Sequence, residues 1–139
     1  MDKTVIGRLI DAALDMRNYS YTPYSQFSVG AALLAKDGTV FTGCNIENGA
    51  FSPTVCAERT AIFKAVSCGV KDFEAICIAG GPAGQAPDRI CAPCGVCRQV
   101  MLEFCRDDFQ VILAVDKDHY ELTTLGELAP YGFRLEEQR

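Results

Sequence analysis

Thr54-Val55-Cys56-Ala57-Glu58-Arg59-Thr60-Ala61 reads as the start of a helix that carries a thiol and a carboxylate two residues apart. Ala57, Ala61, Ile62, Ala65 and Val66 give that helix an apolar face, and Gly69 supplies a C-terminal stop. The spacing therefore predicts a helix from Thr54 or Val55 to Ser67. Working outward, Phe27 to Ala35 and Val40 to Cys44 read as the two strands of a hairpin, turned at Lys36-Asp37-Gly38-Thr39. Glu74 to Ala79 is a short buried strand, and Gly80 to Ala92 reads as loop because it is rich in Gly and Pro.

A further helix is expected to start near Pro93, whose fixed φ suits a first helical position, and to run through Val96, Val100, Met101 and Phe104. Phe109 to Val115 is the next buried strand, and a short fifth strand is expected after the Asp116-Lys117-Asp118 turn. Thr124-x-x-Glu127 is a capping box for a short last helix stopped by Pro130. At the other end, Val5, Ile6, Leu9, Ile10, Ala13 and Leu14 define a first helix over 4–17. Strand-helix-strand order favours parallel pairing, and the opening hairpin adds an antiparallel pair. The expected fold is α/β, a mixed sheet of about five strands with helices on both faces.

The chain has 139 residues, which suits a single domain over 1–139. Its net charge of -5 opposes binding to a duplex or a long single strand, and no Lys/Arg cluster offsets it. A small free substrate is favoured over nucleic acid. Met1-Asp2-Lys3-Thr4 leads directly into the amphipathic segment, and no apolar run approaches the ~20 residues of a membrane span. A cytoplasmic location is expected, where thiols stay reduced. The eight cysteines then point to metal binding or chemistry rather than to disulfides.

A second cysteine cluster, Cys91-Ala92-Pro93-Cys94-Gly95-Val96-Cys97-Arg98-Gln99, complements the first. A catalytic zinc takes three protein ligands and keeps one position open. Cys56, Cys94 and Cys97 would supply three thiolates from two helix starts, where the helix dipole favours thiolate. Cys91-x-x-Cys94 is the competing register; Pro93 before Cys94 favours the later pair. Arg59 is placed to offset the charge of three thiolates by hydrogen bonding to a ligand sulfur. Cys44, Cys68, Cys77 and Cys105 read as small buried hydrophobes, and His119 as a solvated turn residue. Two other readings stay open at this point. A structural zinc module would need a fourth ligand such as Cys91 or Cys44, and a redox C-x-x-C protein would leave Cys56 and Glu58 idle.

Four motifs in order resemble the small, three-cysteine, homotetrameric cytidine deaminases. They are Pro23-Tyr24-Ser25-x-Phe27-x-Val29-Gly30-Ala31-Ala32-Leu33, Gly43-Cys44-Asn45-Ile46-Glu47-Asn48, Cys56-Ala57-Glu58-Arg59-Thr60-Ala61 and Pro93-Cys94-Gly95-x-Cys97-Arg98-Gln99. The resemblance implies a three-layer α/β/α sandwich with a mixed five-stranded sheet. It also implies zinc-dependent hydrolytic deamination of cytidine and deoxycytidine in pyrimidine salvage, with one Zn2+ per chain. Cys56, Cys94 and Cys97 would hold the zinc and Glu58 would shuttle protons. Asn45 and Glu47 would bind the ribose hydroxyl, Phe27 would pack on the pyrimidine, and the N–H of Ala57 would meet the base carbonyl. Phe133 would enter a neighbouring subunit's site in the homotetramer. Gly49, Phe51 and Ala92 depart from the commonest pattern, although a backbone carbonyl near Ala92 would still serve the leaving amine. Deaminases of other aminopyrimidines, such as the nucleoside antibiotic blasticidin S, share the zinc motifs and are the alternative within this chemistry.

Overall fold

A computed structural model describes residues 1–135; the last four residues of the expected 1–139 domain lie outside the described ones. The first helix, α1, is Lys3–Met16, with the Asp2 side chain accepting the Thr4 N–H at its N-terminus. A single 3-10 turn, Arg17–Tyr19, follows. The strands are β1 (Phe27–Ala35), β2 (Val40–Cys44), β3 (Phe73–Pro82), β4 (Gln110–Asp116) and β5 (His119–Thr124). The remaining helices are α2 (Ala57–Ser67), α3 (Gly95–Phe104) and α4 (Leu125–Leu128).

These strands form one five-stranded sheet in the order β2-β1-β3-β4-β5. Only β3 and β4 run parallel; the other neighbours are antiparallel. The side chains of β1 show why the sheet is covered twice. Ala31, Leu33 and Ala35 face a core shared with Ala61 and Ile62 of α2 and Met101 of α3. Ala32 and Leu34 face the opposite core, with Ile6, Leu9, Ile10 and Ala13 of α1. A strand buried on both faces reads as a continuous apolar run, as β1 does. The result is the expected three-layer α/β/α sandwich. Among the described residues no helix is long and apolar enough to cross a membrane.

Three expectations need correction. Gly80, Gly81 and Pro82 belong to β3 rather than to a loop, because their backbone pairs with Val29, Ser28 and Phe27 of β1. Both cysteine-bearing helices start later than expected: Cys56 and Cys94 are extended residues that cap α2 and α3, and the helices proper begin at Ala57 and Gly95. Cys68, at the end of α2, is exposed rather than buried, because it caps the helix on the solvent side.

The sheet has one chemically loaded edge. There β2 ends, β1 begins, β3 ends, and α2 and α3 present their N-termini. Helix N-termini and the carboxyl ends of parallel strands are where α/β folds place their ligands.

Candidate metal centre and substrate pocket

Two short connections bring the cysteines together. Ile46 and Val55 form an isolated antiparallel bridge, with N–H···O distances of 2.9 and 3.0 Å, which closes the polar loop after β2 and delivers Cys56 beside Asn45. Arg98 donates to the Pro93 carbonyl at 2.8 Å and to the Leu128 carbonyl at 2.7 Å, pinning the turn before α3. The Sγ atoms of Cys56, Cys94 and Cys97 then lie within 4.8 Å of one another. Cys56 to Cys94 is 3.8 Å and Cys94 to Cys97 is 3.6 Å. A tetrahedral zinc with Zn–S of about 2.3 Å sets its sulfurs about 3.8 Å apart. The donor set therefore fits zinc in both softness and spacing.

Cys91 is not part of this cluster. Its thiol lies against Gly80, where a Cβ would come 3.0 Å from the sulfur and 3.1 Å from the Phe27 ring. Burial, and then the negative charges of Glu58 and Cys56, push that thiol up to about 11. Cys91 is thus a neutral thiol packed at Gly80 with Phe27 and within electrostatic reach of Glu58.

Charge around the thiols is graded. Arg59 reaches the Cys56 sulfur at 3.4 Å. The hydrogen bond from Cys97, followed by those from Arg59 and Cys94, lowers the Cys56 thiol to about 5. Cys97, the buried member, is raised in return. Both capping thiols sit where the first N–H groups of a helix lack intrahelical partners, an environment that favours anionic sulfur.

Glu58 is the second residue of α2 and only 4% exposed. Burial, and then the negative charge of Cys56, raise its carboxyl to about 7, against the opposing pull of the Cys97 hydrogen bond and of Arg59. A carboxyl poised near neutrality can both take up and release a proton. Just before it, Ala57 is fully buried as the first residue of the helix. Its N–H is among those left without an intrahelical acceptor, so it can donate to a ligand carbonyl.

A second group of candidate site residues lies in the loops before β1 and after β2. The Asn45 amide bridges β1: its Oδ1 accepts the Val29 N–H at 3.0 Å and its Nδ2 donates to the Phe27 carbonyl at 2.9 Å. One amide hydrogen remains for a ligand. Glu47 accepts the N–H groups of Tyr24 and Ser25 at 2.9 and 3.2 Å, and also the Ser25 hydroxyl. These bonds, Ser25's first, hold its carboxyl below the usual carboxylate range. Phe27 is 36% exposed, so part of the residue is open to a ligand. A cavity of about 430 Å³ opens between these loops, lined by Tyr24, Ser25, Glu47, Asn48, Phe51 and Thr54.

Phe133 stands apart from this constellation. Its carbonyl accepts from Gln99 of α3 at 3.0 Å, while its ring is 64% exposed on the surface of the chain. Two residues were not singled out from the sequence. Arg17 donates to the carbonyls of Ser28 at 2.8 Å and Pro82 at 3.1 Å, clamping β1 to β3 next to the Phe27–Pro82 pair. Ser25 joins Glu47 to Phe27, since its Oγ also accepts the Phe27 N–H at 3.1 Å. The only sequence signal for Ser25 was its place in the Pro23-Tyr24-Ser25 motif.

Comparison with known proteins agrees with this geometry. Residues 4–113 match the family described as the cytidine and deoxycytidylate deaminase zinc-binding region. A cytidine deaminase of Sporosarcina psychrophila is 48% identical over 132 residues, covering 95% of this chain and 93% of that protein. One from Halalkalibacterium halodurans is 46% identical over 129 residues, covering 93% and 94%. The crystal structure of a cytidine deaminase from Burkholderia pseudomallei superposes with a TM-score of 0.82 at 42% identity, covering 91% of this chain and 97% of that one.

Proposed function

Because the chain belongs to the cytidine and deoxycytidylate deaminase family, we propose that it hydrolyses cytidine and deoxycytidine to uridine and deoxyuridine, releasing ammonia, in pyrimidine salvage. It is a zinc-dependent hydrolase with one zinc per chain. The observation that carries the reading is the buried Glu58 carboxyl beside three thiols spaced for zinc.

Cys56, Cys94 and Cys97 hold the ion. Bound there, zinc supplies the Lewis acidity that makes water nucleophilic at neutral pH. Glu58 takes the proton of the attacking water and delivers it to ring N3 as oxygen adds to C4. The same carboxylate then takes the proton of the new C4 hydroxyl and passes it to the exocyclic amine; the C4–N bond breaks as the C4 carbonyl forms, and ammonia leaves. One water is consumed, and its oxygen becomes the C4 carbonyl of the product. Arg59 offsets the charge of the thiolates. The Ala57 N–H donates to the base carbonyl, Phe27 packs on the ring, and Asn45 and Glu47 hold a ribose hydroxyl. A backbone carbonyl near Ala92 receives the leaving amine. Because Glu47 stays ionised, it repels a phosphate and favours nucleosides over nucleotides.

The two cores share one sheet, which supports a single domain over 1–139. Exposure of the Phe133 ring supports a homotetramer in which that ring enters a neighbour's pocket. Three reduced thiols in the working site favour the cytoplasm.

The deciding experiment measures ammonia release from cytidine, deoxycytidine, cytosine, dCMP and blasticidin S, with zinc counted in the same sample. Turnover of both nucleosides is expected at about one zinc per chain. The Glu58→Gln variant should keep its zinc and lose turnover by a factor of at least ~10²–10⁴. Substantial activity in that variant would overturn the role of Glu58. Turnover of blasticidin S alone would move the chain to the antibiotic-deaminase reading.

A further inference from the structure

The carboxylate of Glu47 is nearly full. A carboxylate offers about four lone-pair sites, two on each oxygen. Oε1 accepts the Tyr24 N–H at 2.9 Å and the Ser25 N–H at 3.2 Å, and Oε2 accepts the Ser25 hydroxyl. One acceptor direction therefore remains, on Oε2, and the Ser25 hydroxyl fixes where it points.

The same serine also reaches the first residue of β1. Its Oγ accepts the Phe27 N–H at 3.1 Å, across Gln26, which sits in the left-handed region at φ 55°. A non-glycine residue in that region persists only where its surroundings hold it. Here they do: the Gln26 N–H donates to the Thr22 carbonyl at 3.0 Å, and its carbonyl accepts the Ala83 N–H at 2.8 Å. Ser25 and Phe27 are thus held two residues apart with the hydroxyl between a carboxylate and the first N–H of β1.

We propose that Ser25 is a positioning residue for nucleoside recognition. Its hydroxyl aims the one open acceptor of Glu47 at a single sugar hydroxyl while holding Phe27 in place for the base. The inference rests on the reading that Glu47 receives a ribose hydroxyl, and it adds a consequence: with one acceptor open, Glu47 serves one hydroxyl and not two. Loss of the other hydroxyl, as between cytidine and deoxycytidine, is then tolerated at this residue.

The test compares kcat and KM for cytidine and 2′,3′-dideoxycytidine on zinc-loaded protein, in the native chain and in Ser25→Ala, Ser25→Cys, Ser25→Thr and Glu47→Gln. The native chain should prefer cytidine in kcat/KM. Ser25→Ala should reduce that preference by about tenfold, mainly through KM, as expected for removing a hydrogen bond to a charged group. Ser25→Thr keeps the hydroxyl and should restore most of it. Ser25→Cys keeps the shape with a weaker donor, should resemble Ser25→Ala, and carries the test if the alanine variant fails to fold. A purely structural serine would lower the thermal midpoint without touching the ratio between the two substrates. If Glu47→Gln loses the preference while Ser25→Ala and Ser25→Cys keep it, the role of Ser25 is wrong. If the native chain shows no preference, or Glu47→Gln keeps it, the reading of Glu47 fails and Ser25 falls with it.

Discussion

The two halves of the candidate site, its two walls in the proposed function, are built in opposite ways. On one side, Cys56, Ala57, Glu58, Cys94 and Cys97 sit on two helix starts, backed by the core that α2 and α3 share with the sheet. On the other, Tyr24, Ser25, Glu47 and Asn48 lie in half-buried or exposed loops joined by side-chain-to-backbone hydrogen bonds. In the proposed reaction the first wall would carry out the chemistry, which needs a fixed geometry, and the second would recognise a polar ligand that arrives from solvent. Rigidity follows from packing in one case and from an exposed network in the other. Substitutions on the first wall should therefore cost metal, turnover and stability. Those on the second should cost affinity first.

The largest effect tests whether the metal wall works as one unit. Cys97 is fully buried and its sulfur is 3.6 Å from that of Cys94. Cys97→Ala leaves two thiols, and the protein should lose both zinc and turnover, with a fall in thermal midpoint because the ion no longer stabilises the folded chain. Metal analysis and a melting curve on the same preparation check this. Retention of full zinc occupancy would show that another donor, with Cys91 the nearest candidate in sequence, completes the set.

The same contrast explains what could be read from the sequence. The hairpin of β1 and β2 was legible to its end residues, because an apolar run, a Lys36-Asp37-Gly38-Thr39 turn and a second run carry strong local signals. Cys56, Cys94 and Cys97 were legible because metal-ligand spacing is a local pattern joined to one distant partner. The end of β3 was not, since Gly80 and Gly81 have no side chains to signal a strand and pair through backbone alone. Helix starts were read a little early because a capping residue looks like part of the helix it caps. Ser25 and Glu47 are 22 positions apart, and their hydrogen bonds exist only once two loops meet. No periodicity announces such a contact.

Two glycines sharpen the comparison, one on each wall. Gly43, in β2, passes directly under the first turn of α2. A Cβ there would lie 2.5 Å from the Ala57 carbonyl oxygen and 2.6 Å from the Ala61 nitrogen. Both are backbone atoms of a packed helix, so the helix itself would have to move. Gly43→Ala should destabilise the fold by about 1–3 kcal/mol or more, as overpacking does. It should also lower turnover, because the shifted turn carries Cys56 and Glu58. Chemical denaturation with activity measured in parallel would show it; an unchanged midpoint would mean that α2 is not held against β2 as tightly as the packing indicates.

Gly49 predicts the smallest effect and is the stricter test. A Cβ at this position would lie 2.9 Å from the Tyr24 hydroxyl, which is the far end of a flexible and exposed side chain. Gly49 does not have a positive φ, so alanine is conformationally acceptable there. Fewer unfolded states would even favour the variant by about 0.4–1 kcal/mol. Swinging the tyrosine aside consumes some of that gain, and the net change in stability should stay within about 0.5 kcal/mol. Affinity is where the substitution should register. The Tyr24 N–H is one of the donors that hold Glu47, so a displaced Tyr24 should raise KM for cytidine a few-fold while kcat and zinc content stay close to native. If Gly49→Ala instead lowers the midpoint as much as Gly43→Ala does, the loops are as tightly packed as the helix starts. The division between a rigid catalytic wall and an adaptable recognition wall would then be wrong.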